Sequence, residues 1–365
     1  MQHRRLGMGD LADRTLQFRP GNTAVKREAR PCQIERVASA ERDPGAVGQA
    51  ATTGGDQTRG FLEPLMLHSV LREAGARTFF VAHWSEVSAV LRHVAPNQLS
   101  VLHGPIRPDD ARFARETGVR PVINSLYQAK LWLDGGGGPC DLMIDTGINR
   151  LGLPPREIGD PLVTRLEVET LMSHLASADE DSAQNERQRA LFDELAPHVR
   201  HQRRSLANSA GIGLGSDYAY DLTRPGLALY GGVPRSELGG HIRQVAHPQA
   251  AVIQLRDLSP GDSVGYNATW TAERPTRAAT VSLGYADGFL RCWSGKGALR
   301  RGEAVLPLLG RVSMDMVVVD CAAAPDLREG DWLDIPFDLL AAAERCGLSQ
   351  YELLTTLGDR FKFMV

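Results

Sequence analysis

From residue 78 the chain repeats one pattern: a short apolar run, a turn, then a stretch with helical periodicity. The apolar runs fall at residues 78–82, 99–102, 121–124, 141–144, 169–172, 205–207 and 227–229. Helical stretches at 87–93, 109–116, 127–133 and 182–195 separate several of them, and another at 61–71 precedes them. Short apolar strands alternating with helices signal parallel βα units, because such strands are buried on both faces. This makes the chain α/β. Seven such strands are one short of a closed (β/α)8 barrel. A crossover of a dozen or more residues back from the helix at 61–71 puts the first strand near residues 45–55. That stretch, rich in Gly, Ala and Thr, makes a poor strand.

The pattern ends in Asp221-Leu-Thr-Arg-Pro-Gly-Leu-Ala-Leu-Tyr-Gly-Gly232. Beyond it the chain reads as β-structure, with strands at 250–255, 278–282, 304–308 and 316–319. Pro260-Gly-Asp262 and Glu329-Gly-Asp331 supply turns, and short helices at 338–345 and from 349 close the chain. Residues 61–235 are therefore expected to form the barrel, and residues 236–365 a mainly β-domain with short C-terminal helices. Residues 1–60 carry no sustained helix or strand period and read as disordered. Alternatively they are not native to the fold, as after a reading-frame shift.

Composition narrows the function. The chain has 365 residues, 42% of them hydrophobic, and a net charge of −3. A nucleic-acid partner calls for a basic surface instead. No apolar run reaches the ~20 residues of a membrane span, and no signal-peptide core opens the chain. The five cysteines, Cys32, Cys140, Cys292, Cys321 and Cys346, are widely spaced and lack any C-x-x-C. Neither a disulfide framework nor a zinc site is expected, and the cytoplasm is the expected compartment.

Catalytic residues in such barrels sit at the C-terminal ends of the strands. There the sequence offers Asp145-Thr-Gly-Ile-Asn-Arg150, Ser173-His174 and Asn208-Ser209-Ala-Gly211, with Arg224 and Gly226-Leu227 around the last strand. Two cations, an imidazole and a hydroxyl beside glycine-rich backbone suit a phosphorylated heterocycle. Singly, each has a plainer reading: His174 as a satisfied core histidine, Ser209 as part of a helix cap, Arg150 as an ion pair. Their fall at successive strand ends is what points to a site.

These residues carry a resemblance. Residues from about 71 to 359 resemble the alanine racemases, pyridoxal-phosphate enzymes built from a barrel and a β-domain. The motifs are Asp145-Thr-Gly-Ile-Asn-Arg-Leu-Gly152, Ser173-His-Leu-Ala176, Ala207-Asn-Ser-Ala-Gly211 and Arg224-Pro-Gly-Leu-Ala-Leu-Tyr-Gly231. They continue with Val264-Gly-Tyr-Asn-Ala-Thr-Trp270, Gly284-Tyr-Ala-Asp-Gly288, Gly310-Arg-Val-Ser-Met-Asp315 and residues 351–360. The resemblance implies a homodimer acting on alanine, with Tyr266 as one catalytic base. Arg224 would face the cofactor's ring nitrogen, with His174 against the ring. Ser209 and the N–H groups near Gly226 and Leu227 would hold the phosphate. Arg150 and the Met314 N–H would bind the substrate carboxylate, and Tyr285 and Asp315 would line the entrance. Racemisation removes the α-proton on one face and returns it on the other, so it needs two bases. A phenol serves as one at neutral pH when a nearby positive charge lowers its pKa.

The chain departs from the family at the second base. That base is a lysine at the end of the first strand, which also forms the Schiff base to the cofactor. Only Lys26, Lys130, Lys296 and Lys362 occur, and none sits in the expected V-K-A-x-A-Y-G context. Met143 replaces a lysine found in many members two residues before the Asp-Thr-Gly. The family's late phosphate-contacting tyrosine also has no evident match in a chain that ends Phe363-Met-Val365. Two readings follow: an alanine racemase supplying D-alanine for peptidoglycan, or an impaired homologue keeping only non-covalent cofactor or anion binding. A basic amino-acid decarboxylase of related fold is disfavoured by the Gly-Tyr-Asn and Ser-Met-Asp motifs.

Overall fold

The computed structural model describes residues 15–17, 23–28, 48–52, 71–358 and 360–363. Three strands come first: β1 (Thr15–Gln17), β2 (Thr23–Glu28) and β3 (Gly48–Thr52). Then follow β4 (Thr78–Val81), β5 (Leu99–Val101), β6 (Arg120–Ile123) and β7 (Pro139–Met143). After them come β8 (Glu167–Met172), β9 (His201–Asn208) and β10 (Leu222–Arg224). Strands β3 to β10 are parallel and close into a barrel, with β10 pairing to both β9 and β3. The weak stretch expected near 45–55 is thus the first barrel strand. Its order comes from its neighbours: Ala50 stands opposite Thr78 and Thr52 opposite Phe80.

Two sequence expectations need correction. Residues 227–229 are not a strand but part of a tight 3-10 turn, Leu227–Tyr230. The last barrel strand is Leu222–Arg224, so Arg224 ends a strand instead of preceding one. Pro225 explains the displacement, because it cannot donate to a ladder. Residues 1–60 also hold strands that local pattern does not announce. β2 pairs antiparallel with β11 (His247–Leu258), placing Lys26 opposite His247 in the C-terminal sheet. The expected helix at 61–71 lies, save for its last residue, outside the described residues.

The barrel helices form where local chemistry starts and stops them. Ser125 accepts the Gln128 N–H to open Leu126–Asp134, and Ser182 accepts the Gln184 N–H to open Ala183–Leu195. Pro108 begins Pro108–Thr117, and Gly118 ends it with φ 77°. Among the described residues no helix is long and apolar enough to cross a membrane.

Inside the barrel Phe80, Val122, Met143, Met172 and Leu222 form one buried apolar layer. Near it, fully buried Asp141 accepts from the Ser100 hydroxyl at 2.6 Å and the Thr170 N–H at 3.0 Å, with Arg120 at 3.5 Å. The C-terminal domain packs a separate core, including Val252, Val281, Leu306, Val319 and Leu333, around antiparallel strands. Helices Leu339–Cys346 and Gln350–Thr355 cover that core.

Candidate active site

Arg224, at the tip of β10, is 3% exposed. Its Nη1 donates to the Ser205 hydroxyl and its Nη2 to the Ser173 carbonyl, both at 2.5 Å. These partners sit within β9 and just past β8, so three neighbouring strands fix one guanidinium. Burial lowers its pKa to about 10, which leaves it charged at neutral pH.

His174 follows β8 and is half-buried. Gln188 holds its backbone: its side-chain amide donates to the His174 carbonyl at 2.9 Å and accepts the Ala176 N–H at 2.8 Å. Burial first, then the Arg224 and Arg150 cations, push the imidazole pKa down to about 3. His174 is therefore a neutral ring at any working pH.

Arg150 ends a loop that Asp145 organises. One Asp145 oxygen accepts the N–H groups of Gly147, Ile148 and Asn149 at 2.8, 3.0 and 3.1 Å. Gly152 closes the loop at φ 125°, where a Cβ would lie 2.9 Å from the Asp145 nitrogen. Arg150 itself is exposed.

Ser209 is buried, and its hydroxyl accepts the N–H groups of Gly226 at 2.8 Å and Ala228 at 3.2 Å. The N–H between them, from Leu227, donates to the Tyr351 hydroxyl at 3.0 Å. Three consecutive backbone donors thus meet two hydroxyls in a cup that suits an oxyanion. Sequence reasoning missed Tyr351 and Ala228 in this role. The sequence offered no late tyrosine match near its end, yet Tyr351 opens the last of the quoted motifs. Its part in the cup is legible only once helix Gln350–Thr355 is docked on the turn.

Tyr266, Tyr285, Met314 and Asp315 all sit on the β-domain. Tyr266 is 68% exposed on a loop where Gly265, Asn267 and Ala268 have φ of 76°, 64° and 47°. Non-glycine residues at positive φ are strained, and the strain here flanks the tyrosine. The Tyr285 N–H donates to the Ser313 carbonyl, and the Ala286 N–H to that of Met314, both at 3.0 Å. Met314 is 52% exposed. Asp315 pairs with Arg360 at 2.7 Å, and the Arg291 guanidinium lies 5.2 Å from the Tyr285 ring centre.

The lysines lie elsewhere. Lys130 pairs with Asp134 at 2.5 Å on helix Leu126–Asp134. Lys296 is exposed on the β-domain. Lys26 lies in β2, and Lys362 in a strand paired with it, with Lys362 opposite Ala24. Strands β3 to β10 contain no lysine.

Two family models match the chain: "Alanine racemase, N-terminal domain" over residues 65–234 and "Alanine racemase, C-terminal domain" over residues 245–365. An alanine racemase from Methylobacterium nodulans is 40% identical over 306 residues, covering 80% of this chain and 82% of its own length. One from Cereibacter sphaeroides is 38% identical over 340 residues, covering 90% and 92%. Among solved structures, alanine racemase from Bartonella henselae with covalently bound pyridoxal phosphate is 31% identical, with TM-score 0.78, covering 90% of this chain and 94% of that one. The biosynthetic alanine racemase of Pseudomonas aeruginosa is 30% identical, with TM-score 0.79, covering 95% and 98%.

Proposed function

The chain belongs to the alanine racemase family, and from that premise we propose that its site interconverts L-alanine and D-alanine with pyridoxal phosphate as cofactor. The observation that carries this reading is the grouping at the barrel mouth. A buried cation, a neutral imidazole and a three-donor cup stand at neighbouring strand ends. In this reading Arg224 faces the pyridine nitrogen and does not readily protonate it, because arginine gives up its proton reluctantly. His174 lies against the ring without adding charge. Ser209, Tyr351 and the N–H groups of Gly226, Leu227 and Ala228 take the phosphate. Arg150 and the Met314 N–H bind the alanine carboxylate. The cofactor, when bound, supplies an electron sink for the α-carbanion.

Tyr266 moves the α-proton on one face. Its exposure, with that of Met314, supports a homodimer in which both reach into the partner's site. Tyr285 and Asp315 line the way in. The role in the cell is supply of D-alanine for peptidoglycan in the cytoplasm. The test is conversion of L-alanine by purified protein given pyridoxal phosphate, followed with D-amino-acid oxidase and repeated with L-serine. No D-alanine above the blank would sink the reading.

The position of the lysines favours a second reading. The residues present fit the ring and the phosphate, but no lysine on β3 to β10 fits the aldehyde. The chain would then be an impaired homologue that binds the cofactor, or a similar anion, without a covalent link.

A further inference from the structure

Resting on that second reading, we propose that the barrel mouth is a non-covalent holder of phosphorylated pyridines, blind to whether the ring carries an aldehyde, an amine or an alcohol. A lysine amine joined to the carbonyl is what gives a tethering site its preference for the aldehyde. Here the groups at the mouth address parts that all three ligands share. The hydroxyls of Ser209 and Tyr351, with the N–H groups of Gly226, Leu227 and Ala228, suit a phosphate. Arg224 and neutral His174 suit the ring.

The barrel interior also holds a buried apolar layer of Phe80, Val122, Met143, Met172 and Leu222. Met143, at the end of β7, adds a thioether to this layer. The chain has four lysines in all, so no residue outside the described ones supplies a fifth. Lys130 is tied to Asp134 outside the barrel, Lys296 is on the β-domain, and Lys26 and Lys362 belong to the C-terminal sheet. Binding by this site is therefore reversible by dialysis and unaffected by chemistry at the ring's carbonyl-bearing carbon.

The experiment uses the full chain. Equilibrium dialysis measures pyridoxal, pyridoxamine and pyridoxine phosphates separately, with inorganic phosphate as competitor. Borohydride reduction followed by peptide mass mapping then looks for a labelled lysine. We expect three dissociation constants within about threefold of one another, a difference well under 1 kcal/mol. We also expect inorganic phosphate to displace all three, and no lysine labelling that phosphate suppresses. Ser209→Ala should weaken all three by the same factor, with Tyr351→Phe as the alternative if that variant fails to fold. An aldehyde preference of about tenfold or more, with one lysine labelled and protected by phosphate, overturns the proposal but leaves the cofactor site standing. Failure of all three ligands to bind overturns the proposal and the cradle with it.

Discussion

The Tyr351 hydroxyl accepts the backbone N–H of Leu227 at 3.0 Å, across 124 residues of sequence. Removing that acceptor leaves a donor at a buried residue without its partner. Tyr351→Phe should lower stability by about 1–3 kcal/mol, the usual penalty for such a group. Urea unfolding at neutral pH measures it. Affinity for a phosphorylated ligand should fall roughly tenfold, equivalent to about 1.4 kcal/mol, by equilibrium dialysis. Unchanged affinity would remove Tyr351 from the cup.

This bond shows what the sequence could and could not reveal. Arg224, His174 and Ser209 were legible because strand ends are where a barrel displays its chemistry, and the strands had a readable period. Tyr351 was not, because a helix of six residues carries no signal for what it docks against. The turn at Leu227–Tyr230 misread as a strand for a similar reason: Leu-Ala-Leu is apolar in either state, and length alone does not separate them. β3 was placed by counting, not by composition, since its residues pair without looking like a strand.

His174 should give the protein an acid-sensitive limb. Unfolded, a histidine takes up a proton near 6.5; folded, this one resists until about 3. Between those values the unfolded chain binds the extra proton, so stability falls as pH drops through that window and is flat above it. His174→Gln should remove this contribution and flatten the curve. Urea midpoints at several pH values from 4 to 7 would check it, and identical slopes in both proteins would refute it.

Arg224→Met should cost about 2–4 kcal/mol, because the Ser173 carbonyl and the Ser205 hydroxyl lose a charged donor inside the barrel. Arg224→Lys should recover only part of that. Its single ammonium cannot reproduce the planar fork, and burial lowers a lysine's pKa. Thermal unfolding followed by circular dichroism ranks the three proteins.

Gly284→Ala should disrupt the β-domain side of the site. A Cβ there collides with the Met314 carbonyl and the Asp315 nitrogen, both backbone atoms with little room to move. Overpacking of this kind costs about 1–3 kcal/mol. Gly240→Ala, where a Cβ meets nothing within 4 Å, is the matched control. Equal melting temperatures for the two variants would contradict the packing described.

The docking of helix Gln350–Thr355 has a wider consequence. Besides Tyr351, Gln350 bonds both the N–H and the carbonyl of Val233 at 2.8 Å. The anion cup is thus built across the seam between the two domains, with the helix Gln350–Thr355 acting as its clasp. Folding of the barrel alone leaves the cup one hydroxyl short. A chain emerging from the ribosome therefore cannot finish its binding site until Tyr351 has been made and its helix has docked on the turn.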